Sequence, residues 1–252
     1  MRPDVLTLHR FYESAIGNAV CELIHARIST LWSIRPNATT YGLGFALPYL
    51  DRLAVSNDDE NPQKTFALMP AAQGVCHWPS MQNNATTLVD EYHLPLADSA
   101  VERLLVVHAL EHTHRPAHFF REIWRVLAPG GQVVVVTPNR RRTWSALDTT
   151  PFGHGRPYSR SQIYNLMKEQ MLPPETWDTA LMLPPFRWPG VGKMMRITER
   201  TMHALGKNMG GALIVSARKQ VYGALPKQYI QPRTQPVLTG FQKDLRDKKD
   251  AE

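Results

Sequence analysis

The sequence predicts an α/β protein: an open, doubly wound, mostly parallel sheet preceded by an N-terminal helix. Three observations predict it. The apolar run Leu104-Leu105-Val106-Val107 reads as a central strand covered on both faces. The segment Pro116 to Leu127 follows it, with Phe120, Ile123, Trp124 and Leu127 at helical spacing on one face. A glycine turn, Pro129-Gly130-Gly131, then leads into Val133-Val134-Val135-Val136, a β-branched run. Strand, helix, turn and strand make a βαβ unit. Its strands are parallel and its crossover right-handed.

The remaining elements extend this unit. Residues 5–32 read as one helix, because Leu8, Tyr12, Ile16, Val20, Leu23, Ile24, Ile28 and Leu31 recur at helical spacing. Gly17 and Asn18 weaken it, and Arg35-Pro36-Asn37 ends it. Ala38 to Tyr41 is a short strand running into the turn Gly42-Leu43-Gly44-Phe45-Ala46. A helix follows through Leu53, with Pro48 in its first turn. Phe66-Ala67-Leu68-Met69 is a strand stopped by Pro70, and Leu88-Val89-Asp90 is extended. Ser159 caps a helix reaching Met171. Ala180 to Leu183 and Ala212 to Ala217 read as late strands, with a helix over Met194 to Leu205 between them. From about Pro226 the chain is rich in Pro, Gln, Thr and charge, the composition of a disordered tail. The expected organisation is an N-terminal helical segment over 1–37, a sheet domain over 38–222 and a basic tail over 223–252.

Composition narrows the function classes. Apolar residues make up 43% of the 252 and charged residues 20%, ordinary for a globular protein. No run approaches the roughly 18 apolar residues that span a bilayer. Met1-Arg2-Pro3-Asp4 opens without the apolar core of an export signal, so a cytoplasmic protein with no membrane partner is expected. Cys21 and Cys76 share no metal-ligand spacing. The net charge of +7 resides largely in Arg140-Arg141-Arg142 and in the tail lysines and arginines. That trio with Trp144 keeps nucleic acid open as a partner, without favouring it.

The motifs point further. His108-Ala109-Leu110-Glu111-His112, Phe119 to Leu127, Ala128-Pro129-Gly130-Gly131 and the strand ending Thr137-Pro138-Asn139 follow the turn Leu94-Pro95-Leu96-Ala97-Asp98. Over residues about 38–220 this resembles the class I S-adenosylmethionine (SAM)-dependent methyltransferases of the type 11 group, which have a Rossmann-like sheet. The resemblance implies SAM as cofactor. It implies that the Gly42, Gly44 and Ala46 turn passes close to SAM, and that Asp90, or Glu91 in its place, meets the adenine amino group. His108, at the end of the fourth strand, is a candidate cofactor contact or base. An open parallel sheet binds ligand beyond the carboxyl ends of its strands, which suits these positions.

Two places depart from the family. Tyr41, flanked by Thr40, stands where an acid usually precedes the glycines. The second strand ends Leu68-Met69-Pro70, without the acid that holds the ribose hydroxyls. Met69 is left to pack apolarly against adenine or ribose. Beyond the fifth strand, His154, Arg156 and Tyr158 lie in a glycine-spaced loop suited to a substrate lid.

His108 to His112 also matches the H-x-x-E-H zinc-peptidase pattern. Zinc needs both histidines on one helical face and a third ligand, whereas His108 follows a buried strand. No metal is expected. Methyl transfer from an activated sulfonium needs alignment and at most one base, so no invariant catalytic residue is required. Three functions follow. The first is a SAM-dependent methyltransferase acting on a small molecule. The second is a non-catalytic relative that binds or regulates a protein partner. The third is an RNA or DNA methyltransferase.

Overall fold

The computed structural model describes residues 2–32, 38–55, 64–185 and 210–220. The chain runs α1 (Val5–Glu13), α2 (Ala15–Leu31), β1 (Thr40–Gly44), α3 (Leu47–Val55), β2 (Thr65–Pro70), β3 (Thr86–Val89), β4 (Val101–Val107), α4 (Pro116–Val126), β5 (Leu127–Pro138), α5 (Arg160–Glu169), β6 (Pro174–Ala180) and β7 (Ala212–Arg218). The strands form one sheet in the order β3-β2-β1-β4-β5-β7-β6. Pairings from β3 through β5 are parallel. β7 is antiparallel to both β5 and β6. The fold is therefore the expected mostly parallel, doubly wound sheet. Its order reverses between β1 and β4, and beyond that switch point a ligand crevice opens at the carboxyl ends.

Alternation along the apolar runs builds two cores from one sheet. Successive strand side chains point to opposite faces. Leu105, Val107, Val134 and Val136 face one way and meet α1, α2 and α3. Leu104, Val106, Val133 and Val135 face the other and meet α4 and α5. All eight are essentially inaccessible to solvent. This is why both runs are apolar at every position instead of at alternate ones.

Four elements differ from their expected bounds. Residues 5–32 form two helices, broken at Ser14. The Ser14 hydroxyl accepts from Gly17 N–H and so caps α2. Gly17 sits where any side chain would overlap the Phe11 carbonyl, so it marks the start of α2 against the end of α1. The glycines Gly42 and Gly44 belong to β1 itself, and only Phe45 and Ala46 form the turn. α4 passes directly into β5 at Leu127, without a separating turn. Gly130 and Gly131 lie inside β5, beside a register shift against β4. There a side chain on Gly131 would press on the Val101 carbonyl. The late strand is Pro174–Ala180, earlier than the expected 180–183. The chain leaves it at Leu181, which has a left-handed φ of 67°. The helix expected over 194–205 and the tail over 223–252 lie outside the described residues.

Candidate functional site

The carboxyl edge of the sheet divides into an open half and a closed half. The open half is a cleft of about 690 Å³ beyond β2, β3 and β4. Ala71 and Ala72 line it where the chain leaves β2, Asp90 and Glu91 where it leaves β3, and Glu111 and His112 after β4. The Asp90 carboxylate is exposed, accepting from Tyr92 N–H at 2.9 Å and facing His93 Nδ1 at 3.0 Å. The Tyr92 amide and then His93 hold its carboxyl below the usual range. Glu91 is buried against Arg2, whose guanidinium reaches it at 2.8 Å. The N-terminus of the chain thus supplies one wall of the cleft.

The closed half lies over β1 and β4. Its centre is His108, 1% exposed, with a left-handed φ of 51° that a non-glycine residue seldom adopts. Three side chains hold it there. His108 Nε2 lies 2.8 Å from the Tyr12 hydroxyl, Nδ1 lies 3.2 Å from Glu111 Oε1, and the ring meets Phe152 edge-on at 4.9 Å. Tyr12 also meets the Tyr49 hydroxyl at 2.9 Å. One arrangement accounts for all three contacts: Nδ1–H donates to Glu111 Oε1, Tyr12 donates to Nε2, and Tyr49 donates to Tyr12. Burial pushes both tyrosine hydroxyls well above their usual range. Burial would also raise Glu111, but its surroundings, the hydrogen bond from His108 foremost, outweigh it and leave the carboxyl low. A strained residue held on three sides at the mouth of a central strand is a feature found at functional sites.

The loop after β5 joins the two halves. Gly155, at φ 81°, sits where a side chain would press on the Glu111 carbonyl and the His112 ring. The Arg156 amide donates to that same carbonyl at 2.6 Å. Burial pushes His112 down to about 4, so its imidazole is neutral near pH 7.

The expected site residues separate accordingly. Asp90, Glu91 and Arg156 line the cleft. Gly42, Gly44, Ala46, Met69 and His108 do not line it and are packed in the interior. Met69 points into the core shared with Tyr49 and Leu105. Of the lid candidates, His154 lies over the α1 side of the loop, and Tyr158 is 2% exposed within the α4–α5 core. Trp144 cannot stack a base: it is fully buried and donates to the Leu183 carbonyl at 2.6 Å. Among the described residues no three His, Cys, Asp or Glu groups converge as metal ligands. Likewise no described helix is long and apolar enough to cross a membrane.

Comparisons with known proteins match this fold. Residues 66–135, spanning β2 to β5, match the methyltransferase domain family. A probable SAM-dependent methyltransferase of Mycolicibacterium smegmatis is 36% identical over 77 residues, covering 30% of each chain. A Thermotoga maritima structure described as a SAM-dependent methyltransferase, possible histamine N-methyltransferase, superposes with TM-score 0.58 at 14% identity. That superposition covers 86% of this chain and 96% of the other. The fold is that of the class I methyltransferases. A geranyl diphosphate C-methyltransferase of Streptomyces coelicolor, solved with S-adenosylhomocysteine, gives TM-score 0.52 at 15% identity over 81% of this chain and 77% of its own. The chain spans about 30% of the length of the curated relative it matches.

Sequence reasoning missed Arg2, Tyr12 and Glu111 in this domain. Arg2 and Glu91 are 89 residues apart, and no local pattern couples them. Tyr12 registers as one more apolar member of a helical stripe. Its signal was a hydroxyl on a face that is otherwise hydrocarbon, which demands a buried partner.

Proposed function

We propose that the protein is a SAM-dependent methyltransferase acting on a small molecule, with the adenosyl end of SAM in the cleft beyond β2 and β3. The observation that carries this reading is the cleft itself, at the switch-point edge of a class I methyltransferase sheet, with acids after β3 and β4. Its volume of about 690 Å³ suits a small-molecule site. The residues present fit the cofactor in part. Glu111 Oε2 is buried without a hydrogen-bond partner beside the cleft, an acceptor suited to an ammonium group. Asp90 and Glu91 add acceptors for an amino edge. Ala71 and Ala72 follow β2 where a carboxylate would meet ribose, so ribose is held without that group. When bound, SAM supplies the activated methyl group. This chain's residues would orient it and keep water away.

Calorimetry on the full chain with SAM and S-adenosylhomocysteine tests the reading. Micromolar binding of both, weakened by Asp90→Ala, is expected. No binding at millimolar ligand overturns it. A second reading is a binding-only relative that serves a protein partner. The internal bonding of His108 to Tyr12 and Glu111 favours it, as does the missing acid after β2. Release of S-adenosylhomocysteine during incubation with a library of small metabolites would exclude this second reading.

A further inference from the structure

Glu111 carries a fully covered side chain, and among the described residues only the His108 imidazole lies within ion-pair distance of it. Two of its oxygens are engaged. The backbone carbonyl accepts from the Arg156 amide at 2.6 Å, and Oε1 lies 3.2 Å from His108 Nδ1. The third, Oε2, is buried and has no hydrogen-bond partner, on a residue that lines the cofactor cleft. A buried carboxylate oxygen left alone is costly, and a cation bearing N–H groups removes that cost. We propose that Tyr12 and His108 are positioning residues for the cofactor, holding Glu111 so that Oε2 receives the α-ammonium group of SAM. The inference rests on the cofactor reading above, and it gives α1 a part in that site.

The holding chain starts far from the cleft in sequence. Tyr49 on α3 meets the Tyr12 hydroxyl at 2.9 Å, Tyr12 on α1 meets His108 Nε2 at 2.8 Å, and His108 beyond β4 meets Glu111. All four are buried, so water does not compete for these bonds. The middle rings are packed as well as bonded. Tyr12 stacks on Phe45 with centroids 5.7 Å apart, and His108 meets Phe152 edge-on. The His108 carbonyl accepts from the buried Gln73 side chain at 3.4 Å. The chain also sets a tautomer. A neutral imidazole has one N–H and one lone pair. With Tyr12 donating to Nε2, the N–H is committed to Nδ1 and so to Glu111 Oε1. One carboxylate oxygen is thereby fixed, and the other is left for a ligand. Without the Tyr12 hydroxyl the tautomer is no longer set, and the form protonated on Nε2 turns a lone pair towards Oε1. The carboxylate then loses its anchor.

Calorimetry on the full chain tests the proposal with S-adenosylhomocysteine and its deamino analogue, which lacks only the α-ammonium group. The wild type should bind S-adenosylhomocysteine about tenfold more tightly than the analogue. Glu111→Gln should abolish that preference. Tyr12→Phe and His108→Asn should each reduce it by about threefold or more and leave the affinity for the analogue unchanged. Asparagine tolerates the left-handed φ at position 108. In the Glu111→Gln background, Tyr12→Phe should have no further effect on the preference. A purely structural role would weaken both ligands alike and leave the preference intact. Tyr12→Phe retains the ring that stacks on Phe45, so it carries the test if His108→Asn does not fold. Equal wild-type affinity for the two ligands, or an undiminished preference in Tyr12→Phe, would overturn the positioning role and leave the cofactor reading standing. No binding of either ligand at millimolar concentration would overturn both.

Discussion

The two halves of the sheet's carboxyl edge are built from neighbouring strands and do opposite things. Over β1 and β4, Tyr12, Tyr49, His108 and Glu111 are at most 6% exposed and bond to one another. Over β2 and β3, Asp90 is exposed and Glu91 faces a cleft. The difference comes from what covers each half. α1 brings Tyr12 down onto His108, while Arg2, three residues ahead of α1, reaches Glu91 beyond β3. Polar groups that are covered must satisfy each other, and those left uncovered stay available to a ligand.

Four changes would break or sharpen this contrast. Gly44→Ala should cost most, roughly 2–4 kcal/mol, because the site has φ 90° and a side chain there would overlap the Val107 carbonyl. Urea denaturation measures it, and a loss under about 0.5 kcal/mol would show that the closed half is loosely packed. Acid should act next, through His112. Burial lowers its folded value from 6.5 to about 4, so the unfolded chain binds a proton that the folded one refuses. The stability contributed is complete above pH 6.5, is lost as pH falls from there towards about 4, and falls no further below that. The loss is at most about 3 kcal/mol, and His112→Phe should flatten that slope in pH-dependent denaturation curves. Tyr12→Phe removes the hydroxyl between His108 and Tyr49 and should cost about 1–2 kcal/mol by the same denaturation assay. A neutral result would mean that water replaces it. Arg2→Ala should change stability least, by about 1 kcal/mol, because the Glu91 carboxylate it leaves behind borders the open cleft and can take water in its place. It also removes a positive charge from the cleft, so the affinity for cationic SAM should rise relative to neutral S-adenosylhomocysteine. Titration with both ligands reads that ratio, and an unchanged ratio would separate Arg2 from the ligand site.

The sequence made the sheet legible where burial was complete. β4, α4 and most of β5 lie where the runs placed them, because a strand covered on both faces has no alternation to misread. β6 was read several residues late. Pro173-Pro174-Glu175 looks like a loop, and half of the strand is solvent-facing and polar. Ser14 was missed as a break because the apolar spacing continues across it, and only the cap geometry reveals it. For the site, local motifs located Asp90, Glu91 and Arg156 on the cleft. The environment of His108 was not legible. Its partners come from α1, 96 residues away, and from the helical turn that follows it. No spacing rule connects residues that only tertiary folding brings together.

The insertion of β7 between β5 and β6 has a consequence for how the chain is made. β5 and β6 do not pair with each other; each pairs with β7. During synthesis both are made before residues 212–218 exist. The backbone edge of β5 that β7 will occupy therefore stays unpaired until residues 212–218 have been made. This edge is long and apolar, the kind that recruits other strands. Completion of the sheet is thus governed by the last described segment of the chain, and a nascent chain stalled before Ala212 presents an open template in place of a finished edge.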